Sequence, residues 1–196
     1  MSTQSIENKR RQTTNLLTDE RRLGKITAYI ATIVFALSLL RFYFIPRLSL
    51  SANSVALAII NGWLPIIAHV LLFPVVSALP APKWAKAAGY GWLMIDITTD
   101  VLALNGIADT LYLPIRYGGH IGAALWIISA SCIAKGWTRI IGIVLGLDLG
   151  LYSFIPHGLF VLLIPSGFLL PVWFFFVGYF LGHEDANSAF MNVKEE

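Results

Sequence analysis

Charge is scarce in this chain. Only 13% of its 196 residues are Asp, Glu, Lys or Arg, against roughly 25% in a soluble domain. With 57% hydrophobic residues and a mean hydropathy of +0.71, that scarcity argues against a soluble fold. A lone cysteine, Cys132, excludes an intrachain disulfide and leaves the redox compartment open. No HxxxH, HExxH or CxxC spacing is present, no glycine loop suited to phosphate, and no serine or cysteine with a recognisable base. The sequence therefore predicts no metal, no cofactor and no nucleophilic catalysis. Beyond Lys9-Arg10-Arg11 there is no basic run, so nucleic acid is not an expected partner.

What is present is apolar sequence in lengths that match a bilayer, about 20 residues per helix. The chain reads as an all-α polytopic membrane bundle of six helices, 26–45, 54–79, 87–105, 118–134, 138–155 and 158–181. The breaks fall at Pro46-Arg47, at Pro80–Lys86, in an outer loop from Asn105-Gly106 to Tyr117, at Lys135-Gly-Trp-Thr-Arg139 and at Pro156-His-Gly158. Three regions follow: a basic cytoplasmic segment 1–25, a transmembrane domain 26–181 and a cytoplasmic tail 182–196. Residues 1–25 are too polar and too long for a signal-peptide n-region, and no small-x-small cleavage site follows, so 26–45 reads as an uncleaved first span. Pro65 and Pro74 in the second helix, and Pro165, Gly167 and Pro171 in the sixth, predict kinks.

Basic residues set the orientation. With the N-terminus inside, the inner segments hold Lys9, Arg10, Arg11, Arg21, Arg22, Lys25, Lys83, Lys86, Lys135, Arg139 and Lys194, and the outer ones only Arg41, Arg47 and Arg116. The expectation is N-in, C-in, with Trp84 and Trp137 as inner anchors and Tyr43, Tyr112 and Tyr117 as outer ones. The N-terminal basic cluster fixes this topology and contacts anionic lipid.

Against that background Asp96 and Asp100 stand out, inside the apolar run Gly91–Leu104. An Asp at a membrane helix centre costs roughly 2.5–3.5 kcal/mol and usually faces a partner, a cavity or a pathway. Four residues apart, the two lie about 40° from each other around the helix and share a face. They cannot both be comfortable as anions, so a shared proton is expected, with Arg116 or His120 compensating one charge. Counting helical rise puts Asp148 at the depth of Asp96 and Asp100 one turn further out. The candidate ligand- or proton-binding set is Asp96, Asp100, Asp148, His120 and Arg116. The competing reading is a structural lock, in which the carboxylates bond to Thr98, Thr99, Ser129, Ser131 or Tyr152.

The remaining polar residues carry less. His69, alone in the second helix, reads as a packed residue; His120 and His157 lack ligand spacing, and His183-Glu184-Asp185 reads as a solvated helix end. Gly142, Gly146 and Gly150 form a small-xxx-small stripe for close helix packing. Asp148, about 200° from Gly146, points the other way.

Two resemblances bear on function. Asp96-x-x-x-Asp100, with an echo in Asn105-x-x-x-Asp109, resembles the aspartate motif of membrane prenyltransferases, which implies Mg²⁺ held against a diphosphate. There is no second aspartate-rich motif and there are too few helices, and no Asp-Gly-x-x-Ala-Arg stretch of the CDP-alcohol phosphotransferases precedes the pair. Residues 118–181, with a basic turn at Lys135–Arg139, a Gly-rich helix and a final Trp-containing span, look like uncharacterised bacterial multi-pass families, a likeness that implies no activity. The leading expectation is a small solute- or ion-binding transport protein of the bacterial inner membrane, with a polar cavity in the outer half of the bilayer. At this size it would act as a homodimer or with a membrane partner. The alternatives are a non-catalytic accessory subunit and a membrane enzyme acting on a lipid or isoprenoid.

Overall fold

The computed structural model describes residues 3–44, 55–154 and 164–183, and among them every regular element is a helix. These are α1 (Thr3–Phe44), α2 (Val55–Val70), α3 (Phe73–Ala78), α4 (Lys83–Leu104), α5 (Asp109–Ile133), α6 (Gly136–Tyr152) and α7 (Ile164–Gly182). The expected breaks at Pro46-Arg47 and Pro156-His-Gly158, with His157, lie outside the described residues, as does most of the tail 182–196.

Three boundaries differ from expectation. The segment 1–25, read as a separate polar stretch, is from Thr3 onward one helix with the first apolar segment. The second helix is broken at Leu71-Leu72, where Pro74 has no amide to offer Val70. Leu72 instead donates to the His69 carbonyl, three residues back, at 3.1 Å, and Val76 resumes the ladder on Leu72. Neither Pro65 nor Pro171 interrupts its helix. The outer loop shrinks to Asn105–Ala108, closed by Gly106 at φ 74°, a left-handed turn that glycine adopts without strain. α5 restarts at Asp109, whose Oδ1 accepts the Thr110 amide at 2.8 Å, and a first-turn carboxylate suits a helix N-terminus.

Counting α2 and α3 as one kinked rod, six rods stand side by side and the ring closes between α1 and α7. Neighbours run antiparallel. On α4 and α5, Gly89 meets Trp126 while Gly119 meets Ile95; on α5 and α6, Gly142 meets Ser131 while Gly150 meets Ala124. A closed circuit of aromatic rings fills the interior. It passes Phe35, His69, Trp92, Trp126, Trp173 and Phe174 and returns to Phe35, with centroids 5.2 to 6.0 Å apart. Five rods thus contribute a ring to one core, and α6 joins through Gly142. A Cβ there would sit 1.9 Å from Ser131 Oγ and 2.3 Å from Trp173 Nε1, so α6 can approach this closely only without a side chain.

The outside of the bundle is apolar. α1 exposes Leu23, Ile26, Ile30, Ile33, Leu37 and Leu40 at alternating spacings of three and four, a continuous stripe along one face. Ile140, Val144, Leu147 and Leu151 do the same on α6, and Phe168, Val172, Phe175 and Tyr179 on α7. Among the described residues, Ile164–Gly182 alone has both the length and the apolar composition to cross a membrane, and Gly62–Ala78 is a shorter apolar stretch. α6 is only 17 residues long. In α4 and α5, glycines and interior-facing charges dilute the apolar residues.

One end of the bundle is tied by polar contacts. Arg21 on α1 donates from Nη2 to the carbonyls of Leu181 and His183, each at 3.0 Å, capping the end of α7. Ser77 donates to Glu20 Oε1, and Lys86 Nζ donates to the Ser77 carbonyl, so α1, α3 and α4 meet there. Burial lowers the Lys86 ammonium pKa from its usual value, and Glu20 opposes that shift. His183 is exposed at this end.

Candidate functional site

The ring geometry brings α2, α4 and α5 together around a buried charge cluster. On α4, Asp96 and Asp100 share the face turned inward, as their spacing predicts, and are 2% and 5% exposed. From α2, His69 (4% exposed) inserts its ring between them. Its Nδ1 lies 2.9 Å from Asp100 Oδ2 and its Nε2 lies 3.2 Å from Asp96 Oδ2. From α5, Arg116 Nη1 donates to Asp100 Oδ1 at 2.6 Å, while its Nε stays 3.9 Å from Asp96 Oδ1. One turn further along α5, His120 Nε2 is 3.9 Å from Asp96 Oδ2. Trp92, one turn before Asp96, donates Nε1 to Asp96 Oδ2 at 2.7 Å.

A proton count follows from these contacts. Both ring nitrogens of His69 face carboxylate oxygens, and each contact needs a proton between the two atoms. Either the ring is an imidazolium, or it is neutral and one carboxyl carries the proton. Both arrangements give His69, Asp96 and Asp100 together a charge of −1, which Arg116 cancels. The buried cluster is neutral only when it holds this proton. That arrangement answers the cost of burying like charges a turn apart, since buried charges persist when paired and hydrogen-bonded.

The two aspartates are not equivalent. Asp100 has both oxygens engaged, one by Arg116 and one by His69. Asp96 Oδ2 takes Trp92 and His69, while its buried Oδ1 has no hydrogen-bond partner; His120 Nδ1 is likewise buried without one. Arg116 is the most open member, its side chain 24% exposed.

Of the expected site residues, the structure brings together Asp96, Asp100, Arg116 and His120. It does not bring Asp148 to them: no ion pair among the described residues includes it, and its Oδ2 is buried without a partner. Equal rise along two helices does not give equal position, because the rods cross at an offset. The neighbours of Asp148 on α6, Gly146 and Gly150, rest on Ile128 and Ala124, whereas Asp96 lies by His120, and its neighbour Ile95 by Gly119, further back along α5. Gly146 also faces α5, so Asp148 points away from the cluster.

The structural-lock partners expected for the carboxylates also differ. Thr98 and Thr99 spend their hydroxyls on the Met94 and Asp96 carbonyls, and Ser131 Oγ has no partner. Tyr152 packs its ring on Tyr117 at 5.1 Å and near His120 at 6.5 Å. His69, expected to be a packing residue, is the centre of the cluster. Nothing local in sequence marks it, because its role depends on α2 lying beside α4. The Trp92 contact was available from spacing, since residues four apart share a helix face.

Among the described residues no group of three or more His, Cys, Asp or Glu side chains is arranged to hold a metal ion. The carboxylates that the prenyltransferase resemblance would turn toward Mg²⁺ are turned toward Arg116 and His69 instead. No family model, curated protein or solved structure matches the chain, so the functional reading rests on this geometry.

Proposed function

We propose that the chain is a six-span integral membrane protein of a bacterial inner membrane that binds and moves protons, alone or coupled to a small solute, through the cluster His69, Asp96, Asp100, Arg116 and His120. The observation that carries the reading is the His69 ring held between two buried carboxylates, 2.9 and 3.2 Å away. A cluster whose neutrality depends on one proton supports a proton-binding reading, and intramembrane ionisable residues most often mark such pathways. Membrane embedding is supported by the apolar stripes on the outer faces of the rods, with ionisable groups inside the ring or at its ends. An N-in, C-in orientation is supported by the basic end of the bundle, where Arg21, Lys25, Lys83 and Lys86 gather beside the end of α7. Arg116, at the other end, would then face the outer side, where the polar access to the cluster would open.

Reconstituted vesicles with an internal pH dye test the reading. The wild-type protein should dissipate an imposed pH gradient faster than protein-free vesicles, and correctly folded Asp96→Asn and Asp100→Asn should not. Equal rates for wild-type and empty vesicles would reject it.

The second reading, a non-catalytic accessory subunit, is favoured by one observation: Asp100 is saturated by Arg116 and His69, as a packing lock requires. It predicts that both Asn variants lose stability while the wild-type protein carries no proton flux.

A further inference from the structure

We infer that Asp96 is the proton-exchanging carboxylate of the cluster and Asp100 its fixed counter-ion, and that exchange takes place at Asp96 Oδ1 through a single water held by Arg116. The inference rests on the proton-binding reading and divides the labour within it.

Both aspartates sit on one helix, at similar burial, facing the same histidine. What separates them is how their oxygens are occupied. A proton arriving at Asp100 must displace either the Arg116 guanidinium at 2.6 Å or His69 Nδ1 at 2.9 Å. A proton arriving at Asp96 Oδ1 breaks no hydrogen bond to a protein group, because that buried oxygen has none. The distance from Oδ1 to Arg116 Nε, 3.9 Å, is too long for a hydrogen bond and spans one bridging oxygen. A water there would accept from Arg116 Nε–H and donate to Oδ1. On the other oxygen, His120 Nε2 stands at the same 3.9 Å. Arg116, on whose side the bridge lies, is the most exposed member of the cluster.

The step balances simply. A hydronium at the bridge breaks one O–H bond and leaves water; Asp96 Oδ1 gains the O–H bond, and the carboxylate becomes a carboxylic acid. Oδ2 keeps accepting from Trp92 Nε1 and His69 as the carbonyl of that acid. This proton is additional to the one shared through His69, so the cluster charge rises from zero to +1, and the reverse step returns it. The groups facing Asp96 are His69 from α2, Arg116 and His120 from α5, and Trp92 and Asp100 from α4 itself. α3, which also packs on α4, contains no titratable side chain. Trp92 and His69 act here as positioning residues, holding Oδ2 so that Oδ1 is left to exchange.

Infrared difference spectroscopy on the full-length protein in phosphatidylcholine vesicles, titrated with acid in H2O and in D2O, tests the assignment. The expected result is one buried carboxyl C=O band that grows on acidification and shifts in D2O. It should be lost in Asp96→Asn and kept in Asp100→Asn. If Asp100→Asn does not fold, Asp96→Glu serves, since it retains a carboxyl and should move the band. Persistence of the band in Asp96→Asn, an unmoved band in Asp96→Glu, or no titrating carboxyl in the wild type would overturn the inference. The titration is an equilibrium measurement. A titrating Asp96 in a protein that carries no flux would sink the transport reading and leave this assignment standing.

Discussion

His69 and Asp100 are 31 residues apart in sequence and joined by a 2.9 Å contact between Nδ1 and Oδ2. That contact ties α2 to α4, and the opposite nitrogen of the same ring reaches Asp96. Removing the ring should therefore expose two buried carboxylates to each other. His69→Leu is expected to destabilise the protein by about 3–5 kcal/mol, the range for stripping one partner from a buried ion pair. Adding Asp96→Asn to His69→Leu should recover part of that loss, because it removes one of the opposed charges. Thermal unfolding in detergent micelles measures both. Additive losses in the double variant would contradict a shared electrostatic unit.

Trp92 offers a finer probe of the same unit. Trp92→Phe keeps a ring between His69, which it meets edge-on, and Trp126, on which it stacks, but deletes the donor that reaches Asp96 Oδ2 at 2.7 Å. Hydrogen bonds to charged groups contribute about 1.5–3 kcal/mol, and the loss should fall in that range. A loss near zero would mean that Asp96 Oδ2 is held by His69 alone.

Part of this arrangement is legible in the sequence. The shared face of Asp96 and Asp100 follows from helical periodicity, and so does the all-helical class. Arg116 and His120 belong to the set expected from sequence, but the outer loop read from Asn105-Gly106 to Tyr117 takes in Arg116, whereas α5 begins at Asp109. Pro114 lies inside that helix. Counting rise along separate helices groups Asp148 with Asp96, but it ignores the offset between packed rods. His69 reads as a packed residue because its two partners lie on another rod, and lateral order in a bundle leaves no local mark.

Asp148→Asn consequently separates proximity from resemblance. It has the same chemistry as Asp96 and no ion pair among the described residues. The variant should dissipate a pH gradient in vesicles at the wild-type rate, whereas Asp100→Asn should not. Loss of flux in a folded Asp148→Asn protein would restore Asp148 to the pathway.

Packing at α6 predicts a sharp contrast among glycines. Gly142→Ala would force a methyl to within 1.9 Å of Ser131 Oγ and 2.3 Å of Trp173 Nε1, and overpacking of this kind costs typically 1–3 kcal/mol. Gly91 and Gly118 are also within helices, yet an added Cβ there meets nothing within 4 Å. Gly91→Ala and Gly118→Ala should be neutral or stabilise by up to about 0.5–1 kcal/mol, through lower chain entropy in the unfolded state. Unfolding temperatures in one detergent decide it, and equal losses at all three positions would refute the close-approach account of Gly142.

Orientation is open to chemical labelling, because the structure exposes a suitable residue at each end. Lys83 begins α4 beside the polar contacts of Glu20, Ser77 and Lys86, and Asp109 begins α5 at the opposite end. Both are exposed, so neither end is shielded by the fold itself. The native Cys132 is exposed as well and has to be replaced by serine first. On that background, an impermeant maleimide added to intact cells should label Asp109→Cys and spare Lys83→Cys until the membrane is opened. This outcome follows from the concentration of Lys and Arg at the Lys83 end, since basic loops are retained on the cytoplasmic side. Labelling of Lys83→Cys in intact cells would invert the orientation. The more exposed member of the cluster, Arg116, would then face the cytoplasm, and protons would reach Asp96 from that side.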